Sequence, residues 1–198
     1  MKVLVMPRSR EFEPQQALQK AMTLFWRKGY LDTSLDDLVA ETGVSRYGLY
    51  GAFGDKQALF LAALDHYRDT VVTHLLGAME ASDGSLADIR RYFTTLLEAT
   101  SLPIGRLGCL ICNTAVELAP LDGPLSGKVA AHLARMTNAF RNALNNARQR
   151  GDVPAELDVA AYADYLTGVA LGLMTGARAS LDRDVLRRFV DVALAALG

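Results

Sequence analysis

The sequence predicts an all-α protein: an N-terminal three-helix unit of helix-turn-helix type over residues 1–56, followed by a C-terminal helical bundle over 57–198. Three observations carry this. Apolar residues recur at helical spacing along nearly the whole chain, and no segment shows the alternation of a strand. Helical stretches are separated by short turn-forming clusters, "SDG", "LPIG", "PLDGP" and "GDVP". Finally, 51% apolar residues in a chain of 198 are enough to fill a sizeable core.

The first helix is expected to begin at Pro14, with Glu11 and Glu13 near its positive end. It carries Ala17, Leu18, Ala21, Met22, Phe25 and Trp26 on one face before Gly29 ends it. "TSLDDLVAE" at 33–41 supplies a second helix, capped by Thr33 or Ser34, with Asp36 and Asp37 suiting the helix dipole and Leu35, Leu38 and Val39 pointing inward. Gly43 breaks it. "VSRYGLYGAF" gives a short third helix with Ser45 as its cap and Val44, Leu49 and Phe53 as its buried positions. Further helical patterns run over 55–80, 85–100, 107–119, 124–150, 158–179 and 182–197.

Once Val44, Leu49 and Phe53 face the core, Ser45, Arg46, Tyr47, Gly48 and Tyr50 remain outside. Arg46 can pair with a guanine edge or hold a phosphate, and the hydroxyls of Ser45 and Tyr50 suit phosphate oxygens. Gly48 and Gly51 each cost roughly 1 kcal/mol of helix propensity against Ala. Close approach of the backbone to a groove wall is one explanation for them, and a capped surface turn with an exposed arginine is the bland alternative.

Overall charge is only -1, so a polyanionic partner would have to be met by a local surface. Residues 1–56 hold eight Lys or Arg against seven Asp or Glu, a net of +1. Arg8, Arg10, Lys28, Arg46 and Lys56 could converge on DNA, with Arg8 and Arg10 on an arm ahead of the first helix. The opening "MKVLVMPRSR" is too short in its apolar run for a signal-peptide core. The most apolar stretch, "VALGLMTGA" at 169–177, falls short of the ~18–20 residues of a membrane span. Two cysteines three residues apart fit a reducing cytoplasm rather than a disulfide scaffold.

From Arg10 to about Tyr67 the chain resembles the DNA-binding domain of the tetracycline-repressor (TetR/AcrR) family of bacterial transcription regulators. The features that carry the resemblance are "FWRKGY", "TSLDDLVAETGVS", the "LY" of the third helix and "FGDKQALF" opening the fourth. The resemblance implies that Ser34 holds phosphate, that Arg46, Tyr47 and Gly48 meet base edges, and that Tyr50 and Lys56 hold phosphate. Many members carry Ser or Thr where this chain has Gly48, and an aromatic or His near Gly51 and Ala52. It further implies a repressor acting as a homodimer on a palindromic double-stranded operator, with the C-terminal bundle serving for ligand binding and dimerisation, and no cofactor.

In the bundle, Gly168, Gly172 and Gly176 recur every four residues beside Leu166, Val169, Leu173 and Met174, a ridge of small residues that permits close helix approach. "VLRRFVDVALAALG" follows with Val185, Leu186, Phe189, Val190, Ala193, Leu194 and Leu197. Packing within one chain accounts for such a ridge, whereas the resemblance implies a four-helix dimer interface that includes Gly168, Gly172, Gly176, Leu186, Phe189, Val190 and Leu194.

"RLGCLICNTAVELAP" at 106–120 places Cys109 and Cys112 at a helix start, where the dipole favours thiolate. A single C-x-x-C pair lacks the ligands of a zinc site, and His66, His74 and His132 are too scattered to assign, so no metal is expected. Two small buried apolar side chains are the bland alternative. The "GCL" with following Asn and Glu also resembles a subgroup of the same family, some of whose members respond to oxidants or electrophiles through a cysteine here; this implies a role for Cys109 first and Cys112 second. The other expectation is a small-molecule pocket using Tyr92, Phe93, Asn113, Glu117, His132, Met136, Phe140, Tyr162 and Tyr165. No acid, base and nucleophile set for an enzyme can be picked out, and a thiol oxidoreductase would need βαβ context that is absent from the pattern. A DNA-binding protein without an effector is the remaining alternative.

Overall fold

The computed structural model describes residues 12–120 and 123–197; Arg8, Arg10 and Glu11 lie outside them. Among the described residues every regular element is helical. The chain divides into two compact units, one ending at His66 and one beginning at Tyr67.

In the N-terminal unit, α1 (Pro14–Lys28) starts with proline at its first position, where the missing N–H costs nothing, and buries Ala17, Ala21, Met22, Leu24, Phe25 and Trp26. Leu18 is only half-buried, and Leu24 takes its place in the core. Ser34, rather than Thr33, caps α2 (Leu35–Thr42): its Oγ accepts from the Asp37 backbone N–H while the Asp37 carboxylate accepts from the Ser34 backbone N–H, a closed capping box. Thr33 is buried and donates instead to the carbonyl of Gly29 at 2.5 Å.

Gly43 ends α2 in the left-handed region at φ 73°, a conformation that a Cβ would strain, and this sharp turn leads into α3 (Arg46–Phe53). Ser45 caps α3 through the Gly48 N–H, and Val44 and Leu49 are buried as expected; Phe53 is half-buried instead. The fourth helix, α4 (Lys56–Tyr67), is capped by Asp55, whose carboxylate accepts from Ala58 N at 2.7 Å. Its Leu59, Phe60, Ala63 and Leu64 are buried, and Phe60 meets Phe25 edge-on at 4.9 Å. Because these side chains belong to the N-terminal core, that compact unit extends past the boundary expected at residue 56.

The C-terminal unit continues from Tyr67 through a π-helical turn, Arg68–Val72, into α5 (Thr73–Glu80), followed by α6 (Leu86–Ala99), a 3₁₀ turn at Gly105–Leu107, α7 (Leu110–Glu117), α8 (Gly123–Arg150), α9 (Val159–Arg178) and α10 (Arg183–Ala195). One helix was expected over 107–119. Gly108, at φ 71° with a would-be Cβ only 3.0 Å from the Met174 carbonyl, breaks it and leaves Cys109 as the N-cap of α7. Helix α8 packs on α5, α6, α7 and α9 and serves as the spine. Its polar side chains terminate neighbouring elements: Asn142 donates to the carbonyls of Met79 and Ala81, and Asn146 to those of Ser82 and Gly84, satisfying orphan groups at the end of α5. Arg135 grips Glu80 with two hydrogen bonds of 2.6 and 2.8 Å. Among the described residues no helix is long and apolar enough to cross a membrane.

Candidate DNA-reading helix and buried thiol site

The outer face of α3 is built by exclusion. Leu49 is fully buried, which turns Arg46, Tyr47, Tyr50 and Gly51 outward. Tyr47 is 90% exposed, a large aromatic ring with no packing role in its own unit. Arg46 reaches back to Asp36 at 3.1 Å, with both side chains well solvated. Such a pair is worth at most about 1 kcal/mol, so the guanidinium can exchange it for a nucleic-acid acceptor at little cost. Ser34 and Ser45 each spend the hydroxyl's acceptor capacity on a helix cap, and Ser34 also donates to Asp37 at 2.7 Å. At the start of α4, Lys56 sits over the Tyr30 ring at 4.4 Å, a cation–π contact that holds the ammonium in place.

The two glycines of α3 differ. A Cβ on Gly48 would lie 2.9 Å from Val44 Cγ1 and 3.3 Å from Phe12 Cε1, so packing inside the unit supplies a further explanation for Gly48 beside groove approach. A Cβ on Gly51 would meet nothing within 4 Å. Flanking the face, Lys28 and Asp37 pair at 2.8 Å. Lys28 first, and then Ser34, hold the Asp37 carboxyl well below the usual carboxylate range.

In the C-terminal unit the structure corrects the expectation of scattered histidines. Packing of α7 on α8 brings His132 Nε2 to 3.5 Å from Cys109 Sγ. Cys109, Cys112 and His132 each place a ligating atom within 4.8 Å of the others. Linear spacing conceals this grouping, because His132 joins it from a different helix. Cys109 and His132 are buried, Cys112 is half-buried, and the cysteines are unbridged.

The electrostatics split the two thiols. The Cys112 thiol donates to Cys109 and, together with His132, outweighs burial to hold Cys109 well below the ordinary thiol range. The same hydrogen bond, with burial, pushes Cys112 up. Tyr67, the last residue of α4, is pushed up by burial and by its contact with the Cys109 sulfur. The site thus pairs a sulfur shifted toward thiolate with one shifted toward its protonated form.

A cavity of about 20 Å³, room for one water-sized occupant, is lined by Tyr67, Tyr92, Cys109, His132, Met136 and Met174 among others. Of the residues expected in a pocket, only Tyr92, His132 and Met136 meet there. Phe140 is packed against Tyr92 and Phe93 at 5.3 and 5.7 Å. Asn113 ties the 3₁₀ turn through the Leu107 carbonyl, and Glu117 is half-buried on the last turn of α7. Tyr162 and Tyr165 belong elsewhere: Tyr162 donates to the Ala193 carbonyl at 2.5 Å, and both line outer grooves along α9 and α10.

The α9–α10 pair has two faces. Leu186, Val190 and Gly176 point into their own bundle, and a Cβ on Gly176 would lie 2.8 Å from Leu186 Cδ2, so these three belong to the core rather than to an outer face. Leu194 is half-buried. Gly168, Gly172, Val169, Tyr165, Phe189 and Val192 instead line an open groove of about 530 Å³. On α10 the outward Phe189 adjoins the inward Val190 and Val192 lies two residues beyond it, and neither small size nor hydrophobicity distinguishes the two sets in the sequence.

Comparison with known proteins agrees with this arrangement. The family described as "Bacterial regulatory proteins, tetR family" matches residues 17–63, and "Tetracyclin repressor-like, C-terminal domain" matches residues 85–193. The chain is 32% identical over 193 residues to the uncharacterized HTH-type transcriptional regulator YezE of Bacillus subtilis, covering 97% of this chain and 100% of that protein. It is 32% identical over 191 residues to the HTH-type transcriptional repressor ComR of Escherichia coli, covering 94% and 90%. Among solved structures, a cysteine-substituted TetR family regulator CifR in complex with a 26-base-pair double-stranded operator superposes with a TM-score of 0.82 at 26% identity, over 96% of this chain and 100% of that one. A regulator from Agrobacterium tumefaciens shares the fold with a TM-score of 0.83 at 19% identity, over 96% and 100%. An exposed helix-turn-helix at the N-terminus, a helical C-terminal unit and these matches along nearly the whole chain lead to one conclusion: it belongs to the TetR family of DNA-binding transcriptional regulators.

Proposed function

We propose that the chain acts as a cytoplasmic homodimeric repressor whose two α3 helices read a palindromic operator, and whose release is triggered at Cys109. The observation that carries the DNA half is the solvent-facing set Arg46, Tyr47 and Tyr50 on a helix anchored on its other side by the fully buried Leu49. Arg46 and Tyr47 are placed for base edges, with Gly48 admitting the backbone beside them. Lys56 and Tyr50 hold phosphates, joined by Ser45 through the donor capacity its cap leaves and by Ser34 once its hydroxyl exchanges Asp37 for a phosphate oxygen. The relative ComR is named a repressor, and CifR forms a complex with operator DNA; both support this reading. Pairing through the groove along Gly168, Gly172 and Phe189 would present two reading heads one helical turn of DNA apart.

The trigger is argued from chemistry. Cys109, shifted toward its thiolate by Cys112 and His132, has Cys112 in contact, so a peroxide can take two electrons from the pair. Cys109 sulfur attacks one oxygen and expels hydroxide to give a sulfenic acid; Cys112 sulfur then attacks Cys109 sulfur, a disulfide forms and water leaves. Loss of the thiolate removes one of the groups that touch Tyr67, the last residue of the helix that begins at Lys56. We read the cluster as regulatory rather than catalytic, because no further acid–base pair accompanies it. In a gel-shift assay on the DNA upstream of its own gene, mild peroxide is expected to release the reduced protein, and Cys109→Ser is expected to stay bound. Retention of the operator by fully oxidised wild-type protein would refute the thiol trigger.

A further inference from the structure

We propose that Cys109, Cys112 and His132 form a binding site for a soft monovalent cation of the copper(I) class. Two sulfurs and one imidazole nitrogen converge within 4.8 Å. A d10 metal bonded to sulfur at about 2.3 Å and to nitrogen at about 2.0 Å holds those donors roughly 3.5–3.7 Å apart at angles between tetrahedral and trigonal. Cys109 Sγ and His132 Nε2 already stand 3.5 Å apart. The ion therefore replaces the proton shared in this contact with little displacement of either donor; the proton leaves to solvent and no oxidation state changes.

A second, independent observation is the state of His132. The ring is 7% exposed, and its Nδ1 has no hydrogen-bond partner among the described residues. A buried imidazole usually bridges elements through both nitrogens, or is replaced by an apolar side chain at lower cost. Here its recorded hydrogen-bond partner is a thiol, which leaves ligation as the role that explains a polar ring in these surroundings.

The lining selects the ion. No carboxylate lines the adjoining cavity, whereas the thioether-bearing side chains of Met136 and Met174 do. Thiolates and thioethers favour copper(I), and carboxylate and water favour hard divalent ions. Three protein donors suit a cation content with three ligands, while zinc requires a fourth. At about 20 Å³ the cavity admits a bare ion and excludes a drug-sized organic effector. Cation and oxidant would compete for the same sulfurs. The consequence for DNA rests on the regulatory role proposed above for this cluster, whereas ion binding can be measured without it.

The test uses the reduced full-length protein under anaerobic conditions, titrated with copper(I) against a chromophoric copper(I) chelator, with copper K-edge absorption on the product. The expected result is one ion per chain in a shell of two sulfurs and one nitrogen. Both Cys112→Ser and His132→Gln, checked for helicity by circular dichroism, should weaken binding by more than the roughly 10- to 100-fold that loss of an outer-shell partner costs. Loss of copper(I) to the chelator by wild-type protein, equal affinity in both variants, or retention of zinc(II) but not copper(I), would overturn the proposal. Copper(I) held by all three ligands with operator affinity unchanged would support the ion site and remove its regulatory role. Peroxide-driven release through Cys109 without copper(I) retention would do the reverse, overturning the ion site alone.

Discussion

Arg46 and Lys56 occupy different electrostatic settings and should fail differently when removed. Arg46 extends from the exposed start of α3 and pairs, among the described residues, with the solvated Asp36. Arg46→Ala is expected to weaken binding to the specific operator by about 1–3 kcal/mol while leaving random DNA less affected, whereas Lys56→Ala should weaken all sequences alike and lower the salt slope by about one. Anisotropy titrations at several salt concentrations separate the two, and equal losses on both DNAs for Arg46→Ala would make it a phosphate contact. The glycines give a second contrast. Gly51→Ala should stabilise the N-terminal unit by about 0.5–1 kcal/mol, since its Cβ would enter open space, while Gly48→Ala should forfeit that gain against Val44. Thermal denaturation of both variants checks this. The cap Ser45, the buried Leu49 and the exposed Arg46 were legible in the sequence because each follows from local spacing, whereas the cap of α2 stayed open between Thr33 and Ser34. The packing duty of Gly48 was not, because the atom it accommodates comes from Val44 only after the turn at Gly43 has formed.

At the scale of elements, the same three glycines of α9 divide between two tasks. Gly176→Ala would drive a Cβ to 2.8 Å from Leu186 Cδ2 and 3.0 Å from Leu181 Cδ1 and should destabilise the bundle by about 1–2 kcal/mol. Gly172→Arg, at an open position, should leave the fold intact and break pairing. Sedimentation of Gly172→Arg would show a monomer; a dimer of wild-type affinity would place the interface elsewhere. The helix boundaries were readable from the Gly and Pro punctuation to within a few residues. The phase of α10 was less so, since Leu186 and Val190 face inward while Phe189 and Val192 place apolar side chains on the outer side of the same helix. The thiol site was half legible: the C-x-x-C and its place at a helix start are local, whereas His132 joins through packing of α7 on α8, which linear spacing does not encode.

For the whole molecule, the family was readable from the first third of the chain, while the assignment of the rest depended on tertiary packing. Tyr67 ends α4 in contact with the Cys109 sulfur, and Lys56 begins it, so a single helix joins the proposed sensor to the proposed DNA contacts. Control through it requires only unequal effector affinity for the DNA-bound and free states, typically ~1–3 kcal/mol of coupling. All of this presupposes sequence-specific reading of DNA by a paired chain. The most direct test is an anisotropy titration of the reduced protein on a labelled duplex from upstream of its own gene, against a scrambled duplex of equal length, with stoichiometry measured at saturation. The expected result is affinity for the native duplex tighter by about 10³-fold or more at physiological salt, with chains bound in pairs. Equal affinity for the two duplexes, or saturation by single chains, would contradict it.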